Sequence, residues 1–213
     1  MSAQVKKLYT PEEYLALERA SLEKHEYFNG EIFPLGAGLN HHGLLTMTGA
    51  SFRHTTLVGS VFAALRSAVR KQGCSMHTSD LKVKTPSGLY AYPDIVIVCG
   101  KPEFLDGEFD TLLNPIAIIE VLSNSTSNYD RTKKFDHYRS IPTLNNYILV
   151  EQAMMRVEHF TRTDNPQVPP EQTLWGFRSY TNAADILSLS GMEAALALSD
   201  VYEDIDFTDA VNV

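Results

Sequence analysis

The run NPIAIIEVLS (residues 114–123) constrains the fold more than any other stretch of this chain. It is apolar and β-forming on both alternating faces, so as a strand it must be covered on both sides. It therefore reads as the central strand of a sheet with helices on its faces. One carboxylate, Glu120, stands close to its end, and Leu122 shares its face two places on. A glutamate at the end of such a strand usually reaches water, and that is the plain reading of Glu120 taken alone.

The neighbouring segments supply the rest of a mixed sheet. YTPEEYLALER opens with Thr10, Pro11 and Glu13, a capping box with proline at the first turn, and predicts a helix. HEYFNGEIFPL places Asn29-Gly30 between two short apolar-rich runs and predicts a hairpin. Leu57, Val61, Ala64, Leu65 and Ala68 recur at helical spacing, with basic residues late and Gly73 as the stop. CSMHTSDLKVK and LYAYPDIVIVCG read as two strands joined at Pro86-Ser87-Gly88. After the 114–123 strand, YDRTKKFDHYRSIP predicts a helix closed by Pro142, and NNYILVEQ with MRVEHFTRT a hairpin. A Pro-rich loop at 166–170 precedes a late strand, TLWGFRSYT, and SLSGMEAALALSDVYEDI reads as a short surface helix. The strand after the helical crossover should add in parallel. The expectation is a single mixed α/β (α+β) domain over 1–213, with its core at about 53–151 and an acidic segment at 200–213.

A length of 213 residues with 44% apolar composition can bury a real core. No apolar run approaches membrane-spanning length and no secretory h-region follows the N-terminal lysines, so a soluble, cytoplasmic protein is expected. Cys74 and Cys99 have no metal or redox spacing and read as free buried thiols. The net charge of −8 argues against nucleic acid, but its distribution weakens the argument. Residues 53–84 hold Arg53, Arg66, Arg70, Lys71, Lys82 and Lys84 against the single acid Asp80. A second basic cluster comprises Arg131, Lys133, Lys134 and Arg139. Such runs form either a basic face or merely a solvated helix surface. His41-His42 have no third ligand in view, so a zinc site is not expected. Neither a phosphate-cradling glycine loop nor a serine or cysteine nucleophile arrangement is present.

Three acids converge in this scheme. If the turn is symmetric about Ser87, Asp80 and Asp94 face each other across the strands. One residue of slip would put them on opposite faces. Like charges so placed call for a cation or a proton. With Glu120 they form an oxygen-ligand set suited to Mg²⁺ or Mn²⁺.

YPDIVIV followed by IIEVLSNST, YDRTKKFDHYRSIPTLNNYILV and the early NGEI resembles the PD-(D/E)XK nuclease superfamily. The nearest branch is the putative restriction endonuclease family common in cyanobacteria. The resemblance runs from about residue 9 to 206 and implies a restriction-endonuclease-like fold with an αβββαβ core. It implies that Asp94 matches the family's PD aspartate and Glu120 the acid of its (D/E)XK element. Lys134 matches a lysine in the following helix, Glu31 an acid in the first hairpin, Asp80 an aspartate one strand earlier, and His54 a histidine opening the long helix. The superfamily's lysine belongs two residues past the acid, where this chain has Leu122. Lys134 is the nearest substitute, and Lys82, on the face of Asp80 and opposite Tyr92, is the other. Lys134 is also spaced i,i+4 from Asp130 as an ordinary helix pair.

The implied activity is divalent-metal-dependent hydrolysis of DNA phosphodiester bonds, with Asp94 and Glu120 holding the metal and Asp80 or Glu31 adding a ligand. The competing reading is a catalytically inactive nucleic-acid- or protein-binding module on the same fold. A third is hydrolysis of another phosphoester. Double-strand cutting would suit a homodimer, although no residue in the sequence demonstrates one.

Overall fold

The computed structural model describes residues 7–35, 37–39, 45–47, 50–123, 127–163, 168 and 173–208. His41-His42, Asp209 and most of the Pro-rich loop lie outside the described residues. The Thr10 hydroxyl accepts the Glu13 amide and the Glu13 carboxylate accepts the Thr10 amide, so the capping box starts α1 (Pro11–Ala20). Asn29 (φ 49°) and Gly30 (φ 85°) take the left-handed turn that joins β1 (His25–Phe28) to β2 (Glu31–Pro34). β3 (Ala37–Leu39) and β4 (Leu45–Met47) form a separate two-stranded ribbon.

α2 (Phe52–Lys71) buries Leu57, Val61, Leu65 and Val69, one residue per turn. Beyond it come β5 (Cys74–Thr78), β6 (Lys82–Lys84), β7 (Tyr90–Ala91), β8 (Ile95–Cys99), β9 (Thr111–Leu112) and β10 (Ala117–Val121). A short helix, α3 (Ser127–Tyr129), runs through a π-helical turn (Asp130–Lys134) into α4 (Phe135–Tyr138). β11 (Asn146–Val150), β12 (Val157–Arg162) and β13 (Trp175–Tyr180) follow.

Two mixed sheets result, ordered β2-β1-β7-β6-β9 and β13-β12-β11-β10-β8-β5. β10 lies inside the larger sheet, antiparallel to β8 and parallel to β11 across the helical crossover. Its side chains alternate as its composition requires. Ala117, Ile119 and Val121 join the core beneath α2, while Ile118 and Leu122 join a second core with Tyr138, Ile141 and Tyr147. A third, smaller core packs Tyr14 of α1 against Tyr27 and Tyr90.

Three details differ from expectation. The segments 74–84 and 89–100 each break into two strands and cross from the larger sheet to the smaller one. In the smaller sheet Val83 faces Ala91, as symmetry about Ser87 predicts. In the larger, Thr78 faces Ile95, one residue out of step. The same pairing sets Cys74 opposite Cys99, and the two are joined as a disulfide rather than standing as free thiols. Finally, residues 188–205 are not simply a helix. Ser188 ends β14 (Ile186–Ser188), which pairs with β15 (Ala195–Ala197), and only α5 (Leu198–Val201) is helical.

Candidate active site

Asp94 immediately precedes β8, and Glu120 is the penultimate residue of β10. Because the two strands are antiparallel neighbours, both acids come to one end of the larger sheet. The Asp94 amide donates to Glu120 Oε2 at 3.3 Å, and the Val121 amide donates to Asp94 Oδ2 at 2.7 Å. The N-terminus of α2 arrives at the same place. His54 Nε2 lies 3.2 Å from Asp94 Oδ2. Burial works against the His54 imidazolium, but the hydrogen bond to Asp94 and its negative charge outweigh that and raise the His54 pKa. Asp94 Oδ1 accepts no hydrogen bond among the described residues.

Glu120 is 4% exposed and is not left unpaired. Its Oε1 lies 2.9 Å from Lys134 Nζ and accepts the Tyr138 hydroxyl at 3.1 Å. Burial pushes the carboxyl up, with Asp94 and Asp130 adding to the rise and Lys134 opposing it. Lys134 loses solvation by the same burial, yet Glu120, Glu26 and Asp130 hold its pKa well above the ordinary lysine value. The ion pair is the form in which these two buried groups satisfy each other.

The π-helical turn delivers that ammonium. Arg131 ties the turn to the strands beneath it, bonding Glu151 and Glu158 at 2.8 Å each. Tyr147 donates to the Asp130 carbonyl at 3.0 Å. So fixed, Lys134 makes the i,i+4 contact with Asp130 (3.5 Å) as well as the contact with Glu120. The position the strand period would give a lysine is unsuitable here, because Leu122 is 1% exposed within the second core.

The other expected residues are placed differently. Asp80 does not face Asp94. The one-residue slip sets Ser79 opposite, its amide donating to the Asp94 carbonyl at 3.2 Å. The Asp80 side chain is 85% exposed and pairs with Lys24. Lys82 is buried over the rings of Tyr14 and Tyr92 and lies 3.7 Å from Asp110. Burial lowers its pKa. Glu31 opens β2 opposite Phe28, half-buried.

From the same hairpin it is Glu26 that reaches the cluster, with Oε1 3.5 Å from Lys134 Nζ. That oxygen is buried and accepts no hydrogen bond among the described residues. Glu26 and Tyr27 lie side by side within β1, both buried, so no alternation singles Glu26 out. Gln152 is a second residue that sequence reasoning missed. Its side chain donates to the Leu122 carbonyl at 2.5 Å and accepts the Ser51 hydroxyl at 3.0 Å. It thereby joins the end of β10 to the cap of the helix that carries His54.

Among the described residues no three His, Cys, Asp or Glu side chains already form a metal-ligating group. The donor chemistry still fits a hard cation. Among the described residues Glu26 Oε1 is a buried carboxylate oxygen without a hydrogen-bond partner, and Glu120 touches the Asp94 amide on one side and shares Lys134 with Glu26 on the other.

Known proteins resemble this chain in sequence and in fold. The chain is 33% identical over 162 residues to the uncharacterized protein sll1609 of Synechocystis, covering 76% of this chain and 85% of that protein. It is 30% identical over 199 residues to slr1290 of the same organism, covering 93% of each. The fold matches a crystal structure described as a putative nuclease belonging to DUF820, from Anabaena variabilis. The TM-score is 0.65 at 16% identity, over 90% of this chain and 96% of that one. Residues 11–197 match the Uma2 family, described as putative restriction endonucleases, and the chain belongs to that family.

Proposed function

We propose that the protein is an endonuclease that hydrolyses DNA phosphodiester bonds with the help of Mg²⁺ or Mn²⁺. One observation carries this reading. Asp94 and Glu120 meet at one sheet end with an ammonium, Lys134, within bonding distance of Glu120. The charge balance supports it. Glu120, Glu26 and Asp130 surround one lysine, and buried acids in such excess favour a further cation.

Asp94 and Glu120, with Glu26, would hold the divalent ion. When bound, the ion supplies Lewis-acid polarisation of a phosphoryl oxygen and an acidified water. The remaining work belongs to the chain. His54 and the Val121 amide fix Asp94 through Oδ2 and leave Oδ1 for the ion. Tyr138 orients Glu120. Lys134, anchored by its turn beside Glu120, would stabilise negative charge developing on a phosphoryl group held there. An inactive module would gain if no ammonium could reach a water on an ion held by Asp94 and Glu120, and the 2.9 Å contact of Lys134 with Glu120 favours the active reading.

The test is cleavage of supercoiled plasmid with Mg²⁺ or Mn²⁺ by wild type, Asp94→Ala and Glu120→Ala. Wild type should nick or linearise the plasmid and lose activity in a chelator. Each variant should fall by about 100-fold or more. Equal activity in wild type and variants would reject the proposal. A homodimer cutting both strands belongs to the same reading and is measured by mass in solution.

A further inference from the structure

We infer that the groove between α2 and the outer edge of β5 is the track along which a nucleic-acid strand reaches the candidate active site, an inference that rests on the nuclease reading above. β5 is the outermost strand of the larger sheet. Beside it, Gly59, Phe62, Arg66 and Arg70 form one stripe of α2 at helical spacing. A groove of about 1090 Å³ is lined by Val58, Phe62, Arg66, Arg70 and Lys71 of the helix and by Thr78, the last residue of the strand.

The charge of this groove is opposite to that of the molecule. The chain carries −8 overall, yet among the described residues no acid lines the groove. Arg66, Arg70 and Lys71 are exposed and form no side-chain ion pair or hydrogen bond among the described residues. Arg70 and Lys71 suit the C-terminal end of a helix on their own. Arg66 lies a turn earlier, and the helix end does not account for it or for the groove.

The groove also leads to the right place. Val58 follows His54 by one helical turn, and His54 touches Asp94. Thr78 immediately precedes Ser79, whose amide bonds the Asp94 carbonyl. From Val58 to Lys71 the helix advances about 20 Å, room for several consecutive phosphates. The half-buried Phe62 offers an apolar face among the cations. Cations tracking a backbone beside an aromatic ring are the means by which proteins hold a single strand without reading its sequence.

The test uses the full chain with Arg66→Glu and Arg70→Glu together. Binding of a labelled single-stranded oligonucleotide is followed by anisotropy in Ca²⁺, across a salt series. The double variant should bind at least about tenfold more weakly, with a salt slope shallower by about 1–2. Arg66→Gln with Arg70→Gln should show a smaller loss in the same direction. Hydrolysis of bis(4-nitrophenyl) phosphate with Mn²⁺ should be unchanged, since the diester is too small to use the groove. Unaltered affinity and salt slope would overturn the inference. So would a change of mass on sedimentation with unaltered oligonucleotide binding, which would make the groove an interface between copies of this chain. If wild type binds through the groove but cleaves nothing, the nuclease reading fails and the groove stands. If wild type cleaves and the charge-reversed variant binds and cleaves equally well, only the groove fails.

Discussion

The Lys134 ammonium lies 2.9 Å from Glu120 Oε1, although one residue belongs to a π-helical turn and the other to the central strand of the sheet. Removing either charge leaves the other buried alone, which is far more costly than never having buried the pair. Lys134→Ala should therefore lose about 3–5 kcal/mol of stability in urea denaturation. Glu120→Gln with Lys134→Ala together should lose clearly less than the sum of the single changes. Additive losses would mean that the two groups act independently.

Leu122→Lys restores the spacing of the superfamily and should fail as a repair. The position is 1% exposed among Ile118, Tyr138 and Tyr147. Burying an ammonium there should cost at least about 3 kcal/mol. Combined with Lys134→Ala, it should restore no plasmid cleavage. Recovered cleavage would show that a strand-borne lysine can reach the acids after all.

The Cys74–Cys99 disulfide closes a sequence separation of 25 residues. A loop of that length predicts a stabilisation of about 3.5 kcal/mol over the reduced chain. Thermal melts should show a lower Tm in reductant for wild type. A variant with serine at both positions should melt at the lower temperature with or without reductant.

His159 gives a pH dependence remote from the acids. It is 3% exposed beside Asn146 Oδ1, and burial pushes its pKa down to about 4 from an ordinary 6.5. The unfolded chain takes up this proton between those values and the folded chain does not. Stability is therefore fully present above about pH 6.5 and falls as pH drops through 4, by about 3 kcal/mol from this group. His159→Gln should flatten that part of the curve in denaturation series at several pH values.

Much of the fold was legible because local signals were strong. The Thr10 capping box, the Asn29-Gly30 turn and the apolar run around Glu120 each specify one element, and the parallel pairing of β10 with β11 follows from the crossover between them. The site was legible only in part. Glu120 and Asp94 stand at strand ends that the order of elements brings together. Asp80 misled because the hairpin crosses between two sheets at Ser79 and Asp94, and the crossing shifts the register by one residue. Half of that information was present in the cysteines, whose pairing across the same strands needs the shifted register. Glu26 carried no signal, since an acid in a short strand near a turn looks like ordinary surface until the sheet folds over it. Lys134 looked like a helix-surface partner of Asp130, and it keeps that contact while serving Glu120.

The π-helical turn has a consequence for how such chains are recognised. An ammonium beside a carboxylate is a fixed point in space, but the amino-acid text can spell it from a strand or from a helix. A search for a lysine at set distance from an acid would discard this chain at Leu122. A search for the charge at the end of the sheet would retain it.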